Sequence, residues 1–154
     1  MGKKLILLVC VLGGSVGCIH KQSGTVSPWE RVNVNMAALA QINDEVAKGI
    51  VAVQQAGTIT VQQAAPILSY QENVAKDHAA IENIFAAGSA EASSRATQIE
   101  ALLNEIKKQG TALIQAGGLE VKNPNSQQTF TQDLQGMVNL AAVVLADYQL
   151  AKGK

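Results

Sequence analysis

Apolar side chains recur every three or four residues through four long stretches of this chain, and that period commits it to packed helices. The rhythm is plainest near the C-terminus, where Phe130, Leu134, Met137, Ala141, Val144 and Tyr148 are separated by steps of 4, 3, 4, 3 and 4. A seven-residue repeat of this kind lays one apolar stripe along a helix and marks a seam against other helices. Composition agrees. Of 154 residues 47% are hydrophobic but only 3% aromatic, so Ala, Val, Leu and Ile carry the apolar content. Many core positions are then Ala, which lets helices approach closely. Lys+Arg 12 against Asp+Glu 12 leaves no basic surplus of the kind that marks a nucleic-acid binder.

The ends of each helix are written in capping residues. Ser27 can cap a first helix, with Pro28 at its first position and Glu30 completing a capping box. Its stripe is Val32, Met36, Leu39, Val46, Ile50 and Val53, with one long step across Asn43. Either Asn43 faces the seam, where a single amide can fix register, or it lies at the stripe edge and Ile42 fills the gap. Gly57 stops this helix. Thr60 and Gln63 form a second capping box, followed by Ile67, Tyr70, Val74, Ile81 and Phe85 with the missing rung at Asp77 or His78. Pro66 removes a backbone donor more than a turn inside, which predicts a kink or a restart near Ala65.

Gly88 ends the second helix, and Ser89 can cap a third carrying Ile99, Leu102, Leu103, Ile106 and Leu113. This third helix is expected to run unbroken to Ala116, even though Gly110 costs it about 1 kcal/mol relative to Ala. The stretch from Gly117 to Ser126 reads as the longest break, and the last helix follows it. Four helices of roughly 27 to 30 residues, each about 40 to 45 Å long, result. Short turns force neighbours antiparallel, so the expected fold is all-α: an antiparallel up-down-up-down four-helix bundle over residues 27–154.

Such bundles often hold metals, and the ligand patterns were sought. A di-iron bundle needs Glu-x-x-His pairs, but His78 has Ala75 three residues before it and His20 lies outside the helices. Neither paired cysteines nor H-x-x-x-H occurs, so no metal or cofactor is expected. His78, with Glu72, Asp77 and Glu82 near in sequence, reads either as a pH-sensitive or weak metal contact or as a partly buried imidazole at the stripe edge. No nucleophile motif is present to support catalysis, so the chain is expected not to be an enzyme. Trp29, the sole tryptophan, suits either a lipid interface or an apolar cap on the end of the bundle.

The first residues differ from everything after them. Lys3 and Lys4 precede the apolar run LILLVCVLGG, and then come Ser15, Val16, Gly17 and Cys18. A run this short cannot cross about 30 Å of hydrocarbon, which takes roughly 20 residues. It reads as a signal peptide, residues 1–17, cut between Gly17 and Cys18. An unpaired cysteine at that point needs a reason, since Cys10, the other cysteine, would leave with the signal.

This N-terminus resembles that of bacterial lipoproteins, whose lipobox sets a cysteine directly after small residues; Ser15 stands where that family usually has Leu. The resemblance covers only the first 18 to 20 residues. It implies diacylglycerol on the Cys18 sulfur, a membrane anchor, and residues 18–26 as a lipidated N-terminus and tether. Because Ile19 rather than Asp follows the cysteine, it also implies the outer membrane where the host has two membranes. The expected function is therefore that of a lipid-anchored protein of the cell envelope with a structural or partner-binding role. The alternative is an exported bundle that binds a small apolar ligand in its core. Val34, Ala38 and Ile42, and Val138, Ala142 and Leu145, widen the apolar arc of two helices, which allows a homo-oligomer as well as an envelope protein as partner.

Overall fold

The computed structural model describes residues 26–116 and 124–153, so the expected signal peptide, the expected cleavage between Gly17 and Cys18 and the expected lipidation of Cys18 lie outside the described residues. Every regular element among the described residues is a helix: α1 (Pro28–Gln55), α2 (Val61–Ala86), α3 (Ser89–Ser94), α4 (Ala96–Gln115) and α5 (Pro124–Lys152).

The two capping boxes form as their residues dictate. Ser27 Oγ accepts from the Glu30 N–H at 3.1 Å, and the Glu30 carboxylate accepts the Ser27 N–H at 2.7 Å. Thr60 and Gln63 repeat the exchange at 3.2 and 2.9 Å. These bonds satisfy donors that a helix start leaves orphaned. At the other end of α1, Gly57 takes φ +71°. That conformation lets Gly57 and Thr58 donate back to the carbonyls of Gln54 and Val53, both at 2.9 Å, the pairing that closes a helix when glycine follows its last turn.

Four expectations change. α2 runs unbroken through Pro66, without the restart near Ala65. Pro66 and Gln62 both face solvent, so the carbonyl that loses its helical donor can be met by water. Ser89 is the first residue of α3, and Gly88, at φ +100°, is the cap. The third segment is also two helices, parted at Arg95. The reason lies in the core: Tyr148 Oη donates to the Ala92 carbonyl at 2.7 Å, the acceptor that residue 96 would use in an unbroken helix. Ser94 Oγ meanwhile bonds back to the Glu91 carbonyl at 2.9 Å, a contact that competes with the helical ladder. Beyond Arg95, α4 continues through Gly110 as expected. α5 starts at Pro124, inside the stretch read as a break, with proline at the position where its missing N–H costs nothing.

Four helices share the core. α1 packs on α2 and α5, and α4 packs on α2 and α5. Residue pairs give the directions. Met36 and Asn43 of α1 meet His78 and Gln71 of α2. Arg31 near the start of α1 meets Asp147 near the end of α5, and Lys152 of α5 meets Glu100 of α4. Each pairing runs antiparallel. All six residues of the α5 rhythm are buried, Phe130 most exposed at 6%. Of the second arc, Val138 is buried, Ile42 and Leu145 pack against the core, and Val34 stays 52% exposed.

Gly110 is the tightest point. A Cβ there would lie 2.6 Å from Val138 Cγ2 and 2.7 Å from Tyr70 Oη, and Tyr70 is fixed by its bond to the Ile106 carbonyl at 3.2 Å. Gly49 and Gly136 are also inside helices, yet a Cβ at either meets nothing within 4 Å. Gly110→Ala is therefore expected to destabilise the fold by about 1 kcal/mol, because overpacking at the upper part of its about 1–3 kcal/mol range outweighs the roughly 1 kcal/mol gain in helix propensity. Gly49→Ala and Gly136→Ala should stabilise it by about 0.5–1 kcal/mol. Urea denaturation of the three variants checks the opposite signs.

Candidate functional site

The polar residues that interrupt the stripes gather between α1 and α2. Buried positions of α1 run 32, 36, 39, 43, 46 and 50, so Asn43 occupies the rung itself, with Ile42 packed partly buried beside it. Those of α2 include 67, 71, 74, 78 and 81, which makes Gln71 and His78 rungs as well. Asn43 Nδ2 donates to the Gln71 backbone carbonyl at 3.1 Å. His78 Nε2 lies 2.9 Å from the Met36 carbonyl. A carbonyl only accepts, so that nitrogen carries the hydrogen. Glu82 Oε1 stands 3.7 Å from the same nitrogen. His78 is thus a rung of the seam, further inside than the stripe edge. Asp77, the other candidate for that rung, is half-buried on the flank.

A groove of about 440 Å³ runs along this seam, lined by Ala40, Ala47, Leu68 and Val74 together with Asn43, Gln71 and His78. Ala40 and Ala47 of α1 and Ala75 of α2 leave the space. Asp44 and Glu72 stand exposed at its rim, each paired with a lysine one turn on, Lys48 and Lys76. Three side-chain atoms here are buried with no partner in the protein: Asn43 Oδ1, Gln71 Oε1 and Gln71 Nε2. Buried polar atoms are nearly always paired, so these three stand out against the rest of the core. Among the described residues, no three of His, Cys, Asp or Glu gather as metal ligands.

A second polar cluster holds the end of the molecule where the chain enters α1. Asp147 is buried and accepts from Arg31 Nε at 2.8 Å and from Asn35 Nδ2 at 3.0 Å. Arg31 Nη1 also donates to the Val26 carbonyl at 3.2 Å, fixing the last residue before the helix cap. Trp29 is half-buried in an aromatic group, its ring edge-on to Phe85 at 5.8 Å and to Tyr148 at 5.9 Å between centroids. Edge-to-face pairs of this kind add about 0.5–1.5 kcal/mol beyond burial.

Asn35 and Asp147 were not singled out in the sequence, and Gln71 read there only as one of many amides on solvated faces; it is instead buried, four residues after Ile67, as Asp147 lies three after Val144. Polar residues at seam spacing were the available signal. No helix among the described residues is long and apolar enough to cross a membrane. Compared with protein-family profiles, with curated proteins and with solved structures, the chain matches none.

Two aspartates on the flanks give the fold a pH dependence. Burial, and then the facing Glu45, holds the Asp133 carboxyl above its ordinary value of 3.8. Burial and then Glu105 do the same for Asp77. A carboxyl raised in the folded state holds its proton more tightly there, so stability is fully present below the ordinary value and is lost as pH rises through the folded one. Asp133→Asn should therefore stabilise the protein at about pH 7 by about 0.2–0.5 kcal/mol, the scale of like-charge pairs on helix surfaces. Near pH 3 the gain should vanish. Urea midpoints at the two pH values measure it.

Proposed function

We propose that this chain is a lipid-anchored protein of the bacterial cell envelope whose helices form an up-down-up-down four-helix bundle with a structural or partner-binding role, not a catalytic one. The observation that carries the reading is the juxtaposition of the lipobox-like Ser15-Val16-Gly17-Cys18 with a firmly capped helix that starts just after Ser27. Residues 18–26 span at most roughly 30 Å even when extended. An acyl anchor on Cys18 would therefore hold the bundle within that reach of the bilayer, with the Trp29 end nearest. Each of the four long helices touches two others, and each touching pair is antiparallel, which supports the bundle topology.

The anchor would act by confinement. Two or more acyl chains give stable attachment, each buried methylene contributing about 0.8 kcal/mol. A tethered bundle is held at high local concentration beside its neighbours in the envelope. Where the host has two membranes, Ile19 after the cysteine favours the outer one. Trp29 then caps the bundle and meets the lipid interface with its exposed edge. The alternative, an exported bundle that takes a small ligand, has the α1–α2 groove behind it; with the amides of Asn43 and Gln71 in its lining, that groove suits a ligand with a polar head better than a wholly apolar one.

The mass of the N-terminal peptide of protein extracted from host membranes tests the anchor. It should begin at Cys18 and carry a diacylglycerol. An unmodified peptide, or one that starts at any other residue, would overturn the anchored reading.

A further inference from the structure

We infer that the α1–α2 groove is a binding site for a small ligand that presents a primary carboxamide on an apolar stem. The inference is independent of the lipid anchor. Gln71 is 3% and Asn43 8% exposed, and both line the groove. The side-chain atoms without a protein partner are two acceptors, Asn43 Oδ1 and Gln71 Oε1, and one donor, Gln71 Nε2. A primary carboxamide offers the complement: two N–H donors and one carbonyl acceptor. Its oxygen and one N–H can pair with the Gln71 amide head to head, while the second N–H reaches Asn43 Oδ1.

Other head groups fit less well. A carboxylate supplies only acceptors, so it would satisfy Gln71 Nε2, oppose both oxygens and approach between Asp44 and Glu72. An ammonium supplies only donors and leaves Gln71 Nε2 unmet. The groove measures about 440 Å³. That volume lies within the range of small-molecule sites, roughly 300–1,000 Å³. Leu68, Val74 and the alanines form the apolar wall for the stem. The unpaired atoms are covered by their surroundings, so binding requires the Gln71 side chain to turn outward and uncover Asn43 Oδ1, a rotamer change of the kind common at binding surfaces, while Asn43 keeps its bond to the Gln71 main chain.

Titration of the intact, 15N-labelled chain with isobutyramide tests the proposal, read on the side-chain NH2 signals of Asn43 and Gln71. Saturable shifts at millimolar ligand are expected. Isobutyrate and isobutanol should bind roughly tenfold more weakly, the loss that goes with unmade hydrogen bonds to buried groups. Gln71→Leu should abolish the response while its backbone spectrum stays folded, since the Gln71 carbonyl that holds Asn43 is main chain. Gln71→Glu, which exchanges the donor for an acceptor, should also lose it. Equal shifts with isobutanol would mean a merely apolar groove and would overturn the proposal. So would an absent response to isobutyramide, or an unchanged one in a folded Gln71→Leu variant.

Discussion

Three helices meet at Gly110, and the spacing of the core follows from that contact. With no side chain there, α4 closes onto the Tyr70 hydroxyl of α2 and onto Val138 of α5. Tyr70 spends its hydroxyl on the Ile106 carbonyl one turn away, and burial pushes its ionisation up to about 12. The phenol therefore stays a neutral donor at any ordinary pH. A core with so few aromatics gains stability by close approach rather than by large side chains. The glycine that weakens α4 as an isolated helix is what lets it dock.

Polar residues at seam positions do different work at different levels of the bundle. At the end where the chain enters α1, Asp147 is fully used: Arg31 and Asn35 take its two oxygens, and α1 is thereby fixed to α5. Removing one partner from such a cluster strands a buried charge, which costs far more than the pair contributes as a whole. Nearby, the Tyr148 hydroxyl ends α3 by taking the Ala92 carbonyl. In the middle of the seam between α1 and α2, by contrast, Asn43 and Gln71 keep three polar atoms without protein partners. Satisfied networks hold a structure together, and buried polar atoms left unpaired cost it stability.

The helical period, both capping boxes, the Gly57 stop and the α5 seam were legible because each depends on residues within a turn of one another. The break at Arg95 was not, because its cause is a tyrosine hydroxyl 56 residues away in sequence. Pro66 was read as a kink or a restart because a proline's local cost is certain, while its position on the solvent side of α2, which lets the helix run on, appears only in three dimensions. Asn43 was left between two placements by its own helix; the antiparallel approach of Gln71 settles it at the rung. His78 was one of two candidates for its rung, and Gln71 at seam spacing carried no ligand motif, since two amides facing one groove belong to none.

A lipid anchor and a self-contained set of helices make separable demands on the chain. The proposed anchor would need only Cys18 and the residues before it, whereas the helices draw their stability from stripes that begin at Val32. Membrane attachment should therefore be removable without touching the fold. Fractionation of host cells that express the natural chain or Cys18→Ala, with circular dichroism of both purified proteins, tests this most directly. The natural chain should sediment with membranes, and the variant should be released to the soluble fraction with unchanged helicity. Recovery of both in the same fraction would contradict anchoring through Cys18.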